Sequence, residues 1–160
     1  MPDSEPTWLT PAAHQKLVDE LETLTTTGRV EISERIAEAR SHGDIRENAD
    51  YDAAKNEQGL MEARIRKIQH TLQTSEVRKP KAGNTVEVGS VVAITRPDGS
   101  KMEVFVAPPE NKIDEYVLAS PSSPLGGALI GAAAGEEVDY EAPGGIFTVT
   151  VVSFRPYDGG

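Results

Sequence analysis

Four carboxylates, Asp44, Glu47, Asp50 and Asp52, fall within nine residues of the stretch HGDIRENADYDAAKNEQG (42–59), beside a glycine and inside a run otherwise patterned as helix. Two kinds of chemistry suit them. Asp44-Ile45-Arg46-Glu47 has the spacing of a capping box, in which the first acid accepts from the backbone N–H of the fourth residue and the fourth returns the bond. Acid at a helix amino end also suits the helix dipole. Capping accounts for one or two acids and leaves a surplus. The second chemistry is a hard cation. Magnesium takes oxygen ligands, commonly one or two protein carboxylates, and leaves its other positions to water and phosphate. Asp44 and Glu47 alone would make a weak site, to be completed by donors from elsewhere.

Other chemistries find little support. The chain has no cysteine, and His14, His42 and His70 are too widely spaced for zinc. No serine stands in a nucleophile elbow, and Leu125-Gly126-Gly127 lacks the Lys-Ser/Thr that would follow in a phosphate loop. A self-contained catalytic site is not expected.

The acids need an element to present them. Tyr51, Ala54, Gln58, Met61, Ile65, Ile68 and Leu72 recur at alternating spacings of three and four, a heptad seam with Gln58 as its one polar member. An earlier segment starts at Thr10-Pro11 and places Leu17, Leu21 and Leu24 on one stripe, then Ile32, Ile36 and Ala39 on a stripe of shifted phase. The shift falls at TTTGR (25–29), where a bend or irregular turn is expected. Joined through SHGD, the two stripes predict an antiparallel helical hairpin with the acids at its far end.

Beyond residue 75 the composition changes. Residues 76–160 hold eight of the prolines and eleven of the glycines. SVVAI (90–94), MEVFVA (102–107), EYVLA (115–119), EVDYE (137–141) and IFTVTVVSF (146–154) read as strands, with turns at RPDGS and APGG. A short helix follows Ser123 as cap and Pro124 at its first position, ending at Gly135. The expected class is α+β: an amino-terminal coiled-coil hairpin over 1–76, a linker over 77–85, and an antiparallel sheet domain with one short helix over 86–160.

Residues 1–75 carry 14 acids and 9 bases, and residues 76–160 carry 12 and 7, so each half is −5 within a net charge of −10. That balance disfavours strong independent binding to nucleic acid. No run reaches the length of a membrane span, and MPDSEPTWLT lacks the pattern of a secretory signal, so a cytoplasmic protein without membrane association is expected.

Two stretches, EARSHGDIRENADYDAAKNEQG (38–59) and SPLGGALIGAAAGEEVDYEAPGG (123–145), together resemble the bacterial Gre transcript-cleavage factors, closest to the GreA type, from about Leu9 to Phe154. The resemblance implies an FKBP-like carboxy-terminal domain that docks on RNA polymerase, and a coiled coil that reaches through the polymerase secondary channel to the nascent RNA 3′ end. It also implies a monomer that stimulates cleavage at the polymerase's own active site and is not itself the enzyme. Asp44 and Glu47 fall on the family's essential pair, which shares a magnesium ion with polymerase aspartates. Arg40, Arg46, Asn48, Tyr51 and Lys55 are candidate contacts to RNA or polymerase, and Asn48 would orient the tip. Tyr51 also opens the heptad series, so packing is an equal reading. The basic residues, with Arg29 and Arg35, also read as a solvated helix face, as in Glu31–Arg35 at four apart. In the second motif Leu125, Leu129 and Ile130 read as core, and Gly126, Gly127 and Gly131 as packing glycines. Asp52 and Val30 depart from the His and Pro that the family often carries.

Two alternatives arise from the same residues. A Gre-fold inhibitor would plug the channel without cleavage, although the intact GDIREN pair argues against it. A prolyl isomerase would line a pocket with aromatics, for which Phe105, Tyr116, Tyr140, Phe147, Phe154 and Tyr157 are available.

Overall fold

The computed structural model describes residues 7–41 and 48–157. Asp44, Arg46 and Glu47 lie outside the described residues. The chain divides into two compact units, residues 14–75 and residues 7–13 with 76–157.

The first unit is the expected hairpin. Helix α1 (Pro11–Thr23) starts where the sequence places it: the Thr10 hydroxyl accepts from the Ala13 N–H at 3.0 Å, and Pro11 takes the first helical position. The run continues without a break through a π-helical segment, Leu24–Gly28, into α2 (Arg29–Arg40). Helix α3 (Ala49–Thr74) is the return arm, 26 residues or about 39 Å at 1.5 Å per residue. Every member of its heptad seam is at least half buried, and Ala54, Ile65 and Ile68 fully so.

The π segment explains the shifted phase. Leu17, Leu21, Leu24 and Gly28 follow the 4-3-4 heptad rhythm, which next requires residues 31, 35 and 38; the apolar side chains stand one later, at Ile32, Ile36 and Ala39. A π turn absorbs one extra residue without rotating the helix beyond it. The Arg29 N–H reaches back five residues to the Leu24 carbonyl, and Ile32, Ile36 and Ala39 are all buried. In place of the expected bend or turn, the helix runs on and keeps both stripes on the seam. Ile32 and Ile36 pack with Ala54, flanked by Tyr51 and Met61. At Gly28 an added Cβ would sit 3.1 Å from the Met61 Sδ, so the close approach of the arms there favours glycine.

Ion pairs line the seam and confirm its antiparallel sense. Arg64 binds Glu20 through two bonds of 2.7 Å, Arg29 binds Glu62 through two of 3.0 Å, and Arg35 pairs with Glu57. Arg35 therefore reaches across to α3 and not along its own helix to Glu31, because the facing arm brings a carboxylate into better range.

In the second unit a five-stranded sheet has the order β5-β4-β3-β7-β6, built from β3 (Ser90–Thr95), β4 (Lys101–Val106), β5 (Val117–Ala119), β6 (Glu137–Ala142) and β7 (Gly145–Pro156). The hairpin β3–β4 turns at Gly99 (φ +87°), where the Asp98 carboxylate accepts from the Ser100 N–H. All pairings are antiparallel except β4 with β5. The expected all-antiparallel sheet is thus a mixed one, because the long connection through a 3-10 turn (Pro109–Asn111) returns β5 in the direction of β4. Helix α4 (Pro124–Leu129) starts on the Ser123 cap as expected but ends at Leu129, not near Gly135. Ile130 turns extended and Gly131 (φ +88°) diverts the chain to pair with Val86. Leu129 is buried in the core with Val92, Ile94, Val104 and Val151. Ile130 is 37% exposed, so it is not the core residue its apolar type suggested. Of Gly126, Gly127 and Gly131 only Gly126 is a tight contact: a Cβ there would lie 2.0 Å from the Ser120 carbonyl oxygen.

Residues 7–13 belong to this unit. A short strand β1 (Thr7–Leu9) pairs with β2 (Ser75–Val77), and Leu9 accepts from the Arg78 N–H. On its other side the buried Asn111 carboxamide accepts from the Thr10 N–H and donates to the Trp8 carbonyl, both at 2.7 Å. Trp8 packs with Val91, Phe105 and Ala107. Phe105 is fully buried and Tyr157 stacks on it at 4.9 Å, with Tyr116 edge-on to Tyr157, so these aromatics of the isomerase alternative are packing residues.

Two outcomes test this description. Gly126→Ala will lower the melting temperature of the sheet unit sharply, whereas Gly127→Ala, whose Cβ meets nothing nearer than 3.4 Å, will be tolerated. Arg64 holds the Glu20 carboxyl below its ordinary value, and Arg29 does the same for Glu62. Depressed carboxyl pKa values contribute stability that is present above the unfolded value of 4.5 and lost as pH falls through the lower folded values. Helix melts followed by circular dichroism will therefore weaken below about pH 4.5, and the E20Q/E62Q double variant will show a flatter acid limb.

Candidate functional site

The candidate site is the end of the hairpin where α2 gives way to α3. Its first question is what begins α3. The cap is Asn48, in an extended conformation (φ −90°, ψ 98°), whose Oδ1 accepts from the Tyr51 N–H at 3.1 Å. The capping position expected at Asp44 is therefore filled by Asn48, four residues later. The reason is local: an Asn three residues before a free helical N–H is as good a cap as Asp. Asp44 and Glu47 are left as carboxylates that α3 does not use as its cap.

Asn48 also ties the arms together. Its Nδ2 donates to the Ala39 carbonyl, one of the last in α2. A single half-buried carboxamide thus satisfies an orphan donor of one helix and an orphan acceptor of the other. Ser41 closes α2 by giving its N–H to Ala37 and its hydroxyl to Glu38. The Arg40 guanidinium lies over the Tyr51 ring, 5.7 Å from its centroid. Tyr51 is half buried beside the cluster of Ile32, Ile36 and Ala54. Packing accordingly occupies one side of Tyr51 and Arg40 the other.

The remaining candidates separate. Asp50 and Asp52 are exposed in the first turn of α3, where the helix dipole favours acid. Lys55 is exposed and donates to Gln58 at 3.0 Å, facing along its own helix. Arg29 and Arg35 are engaged with Glu62 and Glu57. The structure therefore brings together Arg40, Asn48 and Tyr51 at the two roots of the segment 42–47 and leaves Lys55 apart from them. Asn48's link to Ala39 and Arg40's position over Tyr51 were not readable beforehand, since each joins residues on different helices. The one available signal was the Asn-x-x-Tyr spacing of the cap.

The arrangement is suited to holding a short acidic segment at both ends.

Replacing Asn48 tests the double role. Asn48→Ala removes the cap, a loss of about 1 kcal/mol, together with the tie to Ala39, and will lower the hairpin's melting temperature. Asn48→Asp keeps the acceptor for Tyr51 but loses the donor to Ala39, so it will recover only part of the loss.

Residues 7–77 match the family model described as transcription elongation factor, N-terminal, and residues 79–156 that described as transcription elongation factor, GreA/GreB, C-term. The chain is 40% identical to the transcription elongation factor GreA of Streptomyces coelicolor, over 96% of this chain and 95% of that protein. It is 42% identical to the GreA of Mycobacterium leprae, over 98% and 99%. A crystal structure of GreA factor homolog 1 of Thermus thermophilus aligns at 28% identity over 95% of this chain and 99% of that one, with a TM-score of 0.44, too low to bear on the argument.

Proposed function

The chain belongs to the GreA/GreB family of transcription elongation factors, and from that premise we propose that it binds backtracked bacterial RNA polymerase and stimulates cleavage of the nascent RNA 3′ end. The sheet unit docks on the polymerase, and the hairpin enters the secondary channel. The reaction takes place at the polymerase active site, so this protein supplies groups to an enzyme and is not one itself.

The observation that carries this reading is the cap of α3. Because Asn48 takes that position, the cap of α3 calls on neither Asp44 nor Glu47. They are the residues that would hold a magnesium ion shared with carboxylates of the polymerase. Such an ion, when bound, offsets negative charge on the attacking water and on the departing oxygen. The work of this chain's residues is positional. Asn48 ties the ends of α2 and α3, Arg40 and Tyr51 close one flank, and Ile32, Ile36 and Ala54 keep the arms in register. Holding two reacting partners in a fixed relation removes an entropic cost otherwise met at each turnover. Arg46 and the exposed Lys55 are candidate contacts to RNA phosphates or the channel wall.

The test uses purified backtracked complexes of the cognate polymerase. Asp44→Ala with Glu47→Ala will abolish magnesium-dependent RNA shortening while polymerase binding, measured separately, persists. Undiminished shortening by the double variant would refute the assignment. Slower nucleotide addition by the unaltered protein, with no shortening, would identify a channel-plugging inhibitor instead.

A further inference from the structure

The π segment Leu24–Gly28 divides the first arm of the hairpin into an inner helix, α1, and an outer one, α2. None of its residues is fully buried, although Leu24, Thr25 and Gly28 are half buried, whereas α2 buries Ile32, Ile36 and Ala39. Three threonines and a glycine form its core, all poor helix formers. The backbone bond from Arg29 to Leu24 spans five residues. The Thr25 and Thr26 hydroxyls return to the Leu21 and Glu22 carbonyls at 2.8 and 2.7 Å, satisfying acceptors in the turn before the widening. Gly28 faces the flexible Met61 side chain, so a shift of the backbone here meets a soft neighbour.

The heptad arithmetic sharpens the point. Removing one residue from the segment would bring Ile32, Ile36 and Ala39 to positions 31, 35 and 38, the unbroken continuation of Leu17, Leu21, Leu24 and Gly28. An ordinary α-helix with the same seam is thus one deletion away. The extra residue does nothing for register, yet it places a widened turn of poor helix formers in the arm that carries Ala39 and Arg40, two of the groups at the root of the acidic segment.

We propose that Leu24–Gly28 is a yielding joint, a positioning element that lets the outer half of the arm, with Arg40 and the Asn48–Ala39 tie, re-aim against the bound polymerase. The proposal rests on the cleavage role assigned above. Local opening should follow the widened turn and its poor helix formers, so the joint exchanges its amide hydrogens faster than the helices on either side.

The experiment compares the full-length protein with a variant lacking Thr26 and with Gly28→Ala, which stiffens the joint at unchanged length. Readouts are hydrogen exchange over residues 24–29, helix melting, the concentration for half-maximal effect, and the maximal cleavage rate on backtracked polymerase. The expected result for the deletion is a folded hairpin with slowed exchange, an unchanged half-maximal concentration, and a maximal rate lower by about tenfold or more, as misplaced reacting groups produce. Gly28→Ala should move both exchange and rate in the same direction by less. A deletion variant that folds and cleaves like the unaltered protein overturns the proposal. So does one that fails to fold, since the extra residue would then be needed for the seam. If the unaltered protein shows no cleavage, the functional reading fails, while the exchange pattern still decides whether the joint exists: protection equal to that of α2 rules it out.

Discussion

A hairpin of two helices has a single apolar seam, and every side chain that is to stabilise it must fall on that line along the whole arm. Helices drift relative to a seven-residue repeat, and one residue out of step turns a side chain by about 100°. This phase constraint governs the first unit. The heptad of α3 meets it without interruption from Tyr51 to Leu72. The other arm has one residue too many and meets it through the π segment. The cross-arm ion pairs and the Asn48–Ala39 tie depend on that solution, because a rotated α2 would carry Arg29, Arg35 and the Ala39 carbonyl away from their partners.

The stabilising groups differ along the hairpin. Apolar burial at Ile32, Ile36 and Ala54 involves no charge to be screened or titrated, whereas the exposed arginine–carboxylate pairs are screened by salt and contribute little individually. The pairs do more for specificity than for strength, since charges that meet only in one register disfavour sliding of one arm along the other. At the distal end the arms are held by a neutral amide and by a cation over an aromatic ring. Neither contact draws on a carboxylate.

The second unit solves a different problem. A small sheet with one six-residue helix buries its core on the α4 side through Val92, Ile94, Val104, Val151 and Leu129. Its other face is closed at one end by Trp8, held down through Asn111. Asn111 acts as a substitute strand: its carboxamide pairs with the Trp8 carbonyl and the Thr10 N–H as a neighbouring peptide would. A buried amide with both of its functions satisfied avoids the penalty of an unpaired polar group.

Much of this was legible in the residues because it is local. The seam of α3, the Thr10-Pro11 start, the five strands within a few residues of their observed limits, the Asp98-Gly99 turn and the Ser123-Pro124 start all depend on neighbours within a turn or a hairpin. The family motif containing Asp44 and Glu47 was also legible, as a pattern of residue types in order. Tertiary structure alone decided that Asn48 ties α3 to Ala39, that Arg40 covers Tyr51, that Arg35 chooses Glu57 over Glu31, that β5 runs parallel to β4, and that residues 7–10 lie against Asn111. Most of these join groups that only the folded chain brings within reach, in one case 101 residues apart. Spacing along the chain encodes which face a side chain occupies. It does not encode which of several chemically adequate partners, from elements far apart in sequence, will arrive opposite that face.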